Sequence, residues 1–369
     1  MAGADVVVAG AGVIGLAVAR ELARRGASVV VLERGAPGAG AIHAAAGILS
    51  PTDPHEWDGA LGRFNREAIE RWPAWAAELR DETGEDPGLE QRGELRVGAH
   101  DDPFLASARA GARAAGWAWE DVDAGGLREL EPSLATAAAG VLLPGTATVH
   151  ADRLIGALAA ACARSGVTVR DGTEVVAVDE RARCVRTATG EAVPFGHLVA
   201  ATGAWTSGWA AQLVRPAIRP VLGEAVLVRA AGAPLCRLTV RTGQGSIVPR
   251  ADGTCWIGTT VLDRGFQDGP SAGSVRSILA RAAALLPAVD DALVVEARIG
   301  LRPVSADGLP VVGAVSDAVA AATGHGREGV IHAPACARAV AQGIVAGDWS
   351  GVPAAFSPSA QRERSAGRG

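Results

Sequence analysis

The chain has 369 residues, of which 49% are hydrophobic, and this size suits two domains with sizeable cores. Its formal net charge of −5 gives no overall basic surface, so we expect no nucleic-acid partner. The N-terminus lacks the basic start and cleavage site of a signal peptide, and no apolar run reaches the roughly 18 residues of a membrane span. We therefore expect a cytoplasmic protein without a membrane partner. The five cysteines show neither a C-x-x-C pair nor metal-ligand spacing, which predicts reduced thiols and no metal site.

The first predicted elements form a β-α-β unit. Residues 5–9 are a β-branched run, typical of a strand buried on both faces of a parallel sheet. Over residues 13–25 apolar side chains recur at helical spacing, and Gly26 is suited to a left-handed helix cap. A second buried strand covers residues 28–32 and ends at Glu33.

The later elements include a long region with the alternation of an antiparallel sheet. This region covers residues 219–262, where glycine-containing turns separate the strands. Helices are predicted at 59–83, 102–119, 151–166, 274–286 and 329–346. Short strands are predicted at 168–170, 174–179, 197–201, 293–299, 308–313 and 319–323.

Residues 10–15 match the G-x-G-x-x-G fingerprint of dinucleotide-binding proteins, and they join the first strand to the first helix. Gly10 permits the tight turn, Gly12 lets a pyrophosphate approach the backbone, and Gly15 lets helix and strand pack closely. The helix N-terminus offers free N–H groups and the positive end of its dipole to phosphates. Glu33 is placed to bind ribose hydroxyls, which argues against the 2′-phosphate of NADP. The fingerprint leaves NAD and FAD as alternatives.

Further segments of the chain decide between these cofactors by resemblance. They are the small-residue stretch 38–49, Glu174-Val175, Ala201-Thr202-Gly203-Ala204-Trp205, Gly300-Leu301-Arg302-Pro303 with Asp307-Gly308-Leu309-Pro310, and Thr323-Gly324-His325-Gly326-Arg327-Glu328-Gly329 with Ala333-Pro334. Together with the fingerprint they resemble the glycine oxidase family of the FAD-dependent D-amino-acid oxidase superfamily, in the same order along the chain. The resemblance implies FAD, bound without a covalent link, rather than NAD.

The resemblance and the change of sheet pattern together predict an α/β fold. One domain is a Rossmann-like FAD-binding domain with a mostly parallel sheet, and the other is a smaller α+β substrate domain with an antiparallel sheet. We assign residues 1–85, 145–215 and 300–350 to the FAD-binding domain, and residues 86–144 and 216–299 to the substrate domain. The polar residues 357–369 predict a disordered tail. The resemblance also implies a homo-oligomer.

The resemblance assigns roles to individual residues. Arg302 is expected to hold the substrate carboxylate in a bidentate contact, with Arg327 as a second arginine near the flavin. Ser246 stands where related glycine oxidases often carry a Tyr, and its small size leaves room for a larger substrate or for water. His43 lies near a position that carries covalent flavin in some related enzymes, but we expect it only to line the pocket. The residues expected to bind FAD are Gly10, Gly12, Val13, Ile14, Gly15, Glu33, Arg34, Ala41, His43, Ala46, Gly47, Leu49, Val175, Thr202, Gly203, Trp205, Arg302, Gly326, Arg327 and Gly329.

The implied reaction is oxidative deamination of glycine, sarcosine or a small D-amino acid. Hydride passes from the substrate to FAD, and oxygen then reoxidises FAD to give hydrogen peroxide. In the resembled family the reaction on glycine serves thiamine biosynthesis. Two alternatives stay open at this point. One is an FAD-dependent amine or imine oxidase of secondary metabolism that acts on a larger substrate, and the other is a dehydrogenase that uses a different electron acceptor.

Overall fold

The computed structural model describes residues 4–50, 59–135, 137–214 and 217–360, so residues 361–369 of the predicted tail lie outside the described part. The helices are α1 (Val13–Arg24), α2 (Gly59–Thr83), α3 (Pro103–Ala115), α4 (Ala124–Leu130), α5 (Ala151–Arg164), α6 (Ala272–Leu285) and α7 (Gly329–Ala346). The strands are β1 (Ala4–Ala9), β2 (Val29–Leu32), β3 (Ile48–Leu49), β4 (Glu94–Gly98), β5 (Glu120–Asp123), β6 (Ala139–Leu143), β7 (Ala147–Thr148), β8 (Thr168–Arg170), β9 (Val175–Asp179), β10 (Cys184–Thr187), β11 (Ala192–Ala200), β12 (Arg219–Arg229), β13 (Thr239–Thr242), β14 (Gly245–Pro249), β15 (Thr254–Gly258), β16 (Leu293–Val304), β17 (Val311–Ala314) and β18 (Val319–Thr323).

The first sheet is mostly parallel and is covered on both faces. Its strand order is β17-β18-β11-β1-β2-β8, and only the β17 edge of this path pairs antiparallel. Val6 and Val8 of β1 face a core formed with α1, α2, α5 and α7, whereas Val7 and Ala9 face a second core beside the β9–β10 hairpin. Burial on both faces explains why β1 and β2 are uninterrupted apolar runs.

The second sheet is antiparallel except where β13 meets β4, and its order is β16-β12-β15-β14-β13-β4-β6-β5. One face carries Val226, Val228 and Ile257, which pack against Ile278 and the rest of α6. The alternate residues of the same strands point to the opposite face, where the site described below lies. The observed α/β architecture with two sheets confirms the predicted fold class. The assignment of residue ranges to two domains stays a prediction.

Two predicted elements end elsewhere in the structure. The helix predicted at 102–119 stops at Ala115, because Gly116 adopts a left-handed conformation with φ of 69° and caps it. The strand predicted at 293–299 continues to Val304, because β12 pairs along its length and extends it. Strands β4, β5, β6 and β10 and helix α4 were not predicted from the sequence. Within the described part of the chain, none of the helices combines the length and apolar character needed to span a membrane.

Candidate functional site

A cavity of about 730 Å³ lies between the two sheets. Its floor is formed where β1, β2, β11 and β18 end, at the carboxyl edge of the parallel sheet. Ligands in open α/β sheets bind at this edge. One face of β12 to β16 forms the opposite wall, and the segment 39–48 runs between the two sheets.

The fingerprint glycines form a cradle at the start of α1. Gly10 has φ of +106°, and a Cβ there would lie 2.5 Å from the carbonyl oxygen of Ala201. A Cβ at Gly15 would lie 1.9 Å from the carbonyl oxygen of Gly10, so this position serves backbone packing. Gly12 differs because a Cβ there would meet nothing within 4 Å, and no side chain caps the helix at this residue. Uncapped N–H groups at a helix N-terminus suit a phosphate.

Glu33 is held beside this cradle by the backbone. Its Oε2 accepts a hydrogen bond from the Ala11 N–H at 2.7 Å, and its Oε1 accepts one from the Gly35 N–H at 2.9 Å. The next residue, Arg34, lies with its guanidinium 3.8 Å from the ring centroid of Trp205. The carboxylate and this cation–aromatic pair both line the cavity, as does Val175.

Small residues let the segment 39–48 approach its neighbours closely. A Cβ at Gly300 would lie 2.7 Å from the carbonyl oxygen of Ala41, and a Cβ at Gly47 would lie 2.0 Å from that of Val149. Gly47 also has φ of +71°. These contacts explain why this stretch is rich in glycine and alanine.

Most of the predicted site residues line the one cavity. These are Gly10, Gly12, Val13, Ile14, Glu33, Arg34, Ala41, Ala46, Gly47, Val175, Thr202, Gly203, Trp205, Ser246, Arg302, Gly326, Arg327 and Gly329. Three others do not line it. Gly15 lies behind the cradle, Leu49 is buried in the core, and His43 points towards Glu296, with 3.3 Å between Nε2 and Oε1.

Arg302 presents a guanidinium to the cavity from β16. Its Nη1 donates to the carbonyl oxygen of Thr260 at 3.2 Å, and its Nη2 donates to Thr259 Oγ1 at 3.1 Å. Burial, reinforced by the positive charge of Arg327, lowers the pKa of Arg302 to about 10, so the group stays protonated at neutral pH. Among the described residues, no carboxylate lies within ion-pair distance of Arg302. The geometry suits an anionic group supplied by a ligand.

Gly223 makes room for this guanidinium. It lies on β12 beside the strand that carries Arg302, and a Cβ there would lie 2.5 to 2.7 Å from Arg302 Nη1, Nη2 and Cζ. The side chain of Arg302 therefore lies flat across the glycine. Any other residue at this position would displace the charged group.

Arg241 is a cavity residue that the sequence analysis missed. It lies on β13, directly opposite Ser246 of β14, and its Nε donates to Ser246 Oγ at 3.0 Å. Its Nη1 donates to Oε1 of the buried Glu94 at 3.2 Å, and this oxygen also accepts from Arg96 Nε at 2.6 Å. Burial lowers the pKa of Arg241, and the charge of Arg327 adds to that effect. The alternation of β13 and β14 was the available signal, because it places residues 241 and 246 on one face.

A buried chain of neutral histidines starts at the cavity wall with His325. His325 Nδ1 lies 2.9 Å from His332 Nδ1, and His332 Nε2 lies 2.6 Å from Asn65 Oδ1. Burial lowers the pKa of His325 to about 3 and that of His332 well below its ordinary value. Both rings are therefore uncharged at neutral pH. They connect the loop that carries Arg327 to α7 and α2.

The chain is similar to known proteins along nearly its whole length. A family described as FAD dependent oxidoreductase matches residues 5–343. A glycine oxidase of Geobacillus kaustophilus is 34% identical over 339 residues, covering 89% of this chain and 90% of that protein. A glycine oxidase of Pseudomonas aeruginosa is 32% identical, with 96% of this chain and 98% of that protein covered. The crystal structure of the Geobacillus kaustophilus glycine oxidase aligns with a TM-score of 0.88 at 33% identity, covering 96% of this chain and 98% of that one.

Proposed function

Because this chain belongs to the FAD-dependent oxidoreductase family, and within it to the glycine oxidase group, we propose that it oxidatively deaminates a small amino acid or amine. Glycine, sarcosine and small D-amino acids are the proposed substrates, and oxygen is the proposed electron acceptor. The observation that carries the proposal is the guanidinium of Arg302, which faces the cavity and has no carboxylate partner among the described residues. A carboxylate of the substrate supplies that partner.

The residues of the cavity fit FAD. The open space in front of Gly12 and the uncapped start of α1 suit a pyrophosphate, and the oriented Glu33 suits a ribose. The small residues of segment 39–48 leave the cavity open along its length. When bound there, FAD supplies the acceptor for the hydride that leaves the substrate, and its reoxidation by oxygen yields hydrogen peroxide.

The cofactor is proposed to bind without a covalent link. His43 does not line the cavity, and its Nε2 lies 3.3 Å from Glu296 Oε1 on a partly exposed part of the surface. The buried Cys336 lies behind His325, with its Sγ 3.8 Å from Nε2 of that ring, and burial raises its thiol pKa to about 12. A protonated thiol is a poor nucleophile. Neither side chain is placed to attack a bound flavin.

The arginines have two effects on the substrate. A bidentate contact between Arg302 and the substrate carboxylate fixes the orientation of the molecule as well as its position. The positive charges of Arg302 and Arg327 also disfavour a third positive charge nearby, so they lower the pKa of the substrate ammonium group. Loss of that proton leaves the neutral amine, which is the form that can release a hydride from its α-carbon.

A larger amine is the second candidate substrate, and one feature of the site favours it. Ser246 has a short side chain, and its neighbours across the sheet and along the strand include Gly258 and Gly245. The wall around Ser246 is therefore lined partly by small residues, with the indole of Trp256 lying over Gly258. An amine with a longer side chain is accommodated on that side.

The test is a substrate panel applied to the purified holoenzyme. Visible spectra and peroxide release are followed with glycine, sarcosine, D-alanine and D-proline, and glycinamide serves as the matched compound without a carboxylate. We expect flavin bands that bleach with the amino acids and recover in air with peroxide, and a much lower kcat/KM for glycinamide. Bleaching without peroxide would indicate a dehydrogenase. A flavin that no amine reduces would refute the proposal.

A further inference from the structure

We propose that the preferred substrate carries a second anionic group, and that Arg241 binds it beside Ser246. The inference rests on the proposed function, because it takes Arg302 as the site of the first carboxylate. The substrate class is a short amino dicarboxylate, such as an acidic D-amino acid or an iminodiacid. Arg241 then determines specificity.

The first observation is the hydrogen-bond inventory of Arg241. Nε donates to Ser246 Oγ and Nη1 donates to Glu94 Oε1, whereas Nη2 donates to no described group. The side chain lines the cavity and is 13% exposed. Glu94 Oε1 lies closer to Arg96 Nε, at 2.6 Å, than to Arg241 Nη1, at 3.2 Å. Arg241 therefore lines the cavity and retains a hydrogen-bond donor after its structural contacts are made.

The second observation is the spacing of the two guanidinium groups. Strands β16, β12, β15, β14 and β13 are consecutive in the sheet, so four strand spacings separate the backbones of Arg302 and Arg241. The side chain of Arg302 extends over Gly223 of β12 towards Thr259, and that of Arg241 extends towards β14. Neighbouring strands lie about 4.8 Å apart, and the register places Arg302 four residues along the strands from the row that contains Arg241, so we estimate a gap of about 10 Å between the guanidinium groups. A short dicarboxylate spans such a gap.

The third observation is that small residues lie between the two arginines. Along the cavity face, Gly223, Gly258 and Ser246 occupy the intervening strands, and the indole of Trp256 lies over Gly258, where a Cβ would come within 2.6 Å of it. A bulky side chain at position 246 would stand between a ligand and Arg241. The serine side chain is short, and its hydroxyl accepts the hydrogen bond that orients Arg241.

The charges of this region favour an anionic ligand. Arg327 lies close enough to lower the pKa of both Arg302 and Arg241, so its positive charge acts on both guanidinium groups at this end of the cavity. Like charges in a site of low dielectric are unfavourable, and bound anions relieve their repulsion. Two carboxylates on one ligand match two of the arginines.

The experiment compares matched substrates on the holoenzyme. D-Aspartate is paired with D-alanine, and iminodiacetate is paired with sarcosine, because each pair differs by one carboxylate. We expect a kcat/KM for each diacid about 10- to 100-fold above that of its partner, the range that one charge-assisted hydrogen bond supplies. In R241Q the diacid-to-monoacid ratio should fall by a similar factor, whereas the control R109Q, at a partly buried arginine that does not line the cavity, should keep the wild-type ratio.

A binding measurement makes the test independent of turnover and of the folding of R241Q. Perturbation of the visible flavin spectrum of the wild-type holoenzyme gives dissociation constants for succinate and for propionate, and we expect succinate to bind more tightly. Equal or weaker binding of succinate, together with monoacids that react as well as diacids, would overturn the inference and leave the amine oxidase function standing. Failure of every amine to reduce the flavin would instead refute the proposed function itself.

Discussion

Replacing Gly223 with alanine should weaken substrate binding without unfolding the protein. The new Cβ would lie 2.5 to 2.7 Å from three atoms of the Arg302 guanidinium, whereas comfortable contacts of this kind are about 3.5–4.0 Å. The guanidinium must therefore move by about 1 Å. Because it is the free end of a long side chain, the backbone of β12 does not have to shift.

The size of the effect follows from that displacement. A shift of about 1 Å in a positioning group costs on the order of 100-fold in rate, equivalent to about 2.7 kcal/mol. We expect kcat/KM for glycine or sarcosine to fall about 10- to 100-fold, mainly through KM, because the anchor of the carboxylate is displaced. The free energy of unfolding should change little, because the entropy that alanine removes from the unfolded chain offsets the cost of moving the guanidinium.

Steady-state kinetics and denaturant unfolding test this reasoning together. The matched control is G232A, because Gly232 lies in the turn after β12 and a Cβ there meets nothing within 4 Å. G232A should retain wild-type kinetics. Wild-type kcat/KM in a folded G223A enzyme would show that the observed position of Arg302 is not the one that binds the carboxylate.

Three further predictions concern the cofactor cradle, the buried histidines and the mode of FAD attachment. G12V should fold, because a Cβ at Gly12 meets no protein atom within 4 Å. Its dissociation constant for FAD, measured by flavin fluorescence, should rise at least about 10-fold. Wild-type affinity for FAD would contradict the assignment of Gly12 to the pyrophosphate site. The pKa of His325 is about 3 in the folded protein and 6.5 in the free group, so between these pH values the unfolded chain binds a proton that the folded protein does not. The free energy of unfolding should therefore be highest above pH 6.5 and fall towards pH 3. The slope should reach about 1.4 kcal/mol per pH unit for each such histidine. Urea titrations should therefore give H332L a shallower pH slope than wild type, and equal slopes would disprove this account. Heat or acid denaturation should release all flavin into the supernatant, and yellow colour that remains with the precipitate would indicate a covalent link.

The amino-acid sequence alone predicted the features that depend on neighbouring residues. The strand–turn–helix around Gly10, Gly12 and Gly15 is encoded within a few residues, so its geometry follows from glycine conformation and helix periodicity. Helix α2 spans Gly59–Thr83, which matches the predicted range, because a long amphipathic pattern gives a strong signal. The FAD-dependent family and the α/β fold class are confirmed. The roles of the individual site residues stay predictions.

Only the tertiary structure decided what stands beside Arg302. Gly223, Arg241 and Thr259 have no motif of their own, and Gly223 and Arg241 reach the cavity because β12 pairs with β16 and β13 pairs with β4, both far away in the sequence. Likewise, His332 meets Asn65 of α2 across more than 250 residues of chain. Strand pairing and burial bring such residues together through contacts that local sequence does not specify. The fingerprint therefore indicated a dinucleotide cofactor, whereas the folded sheet determined which charges line the cavity.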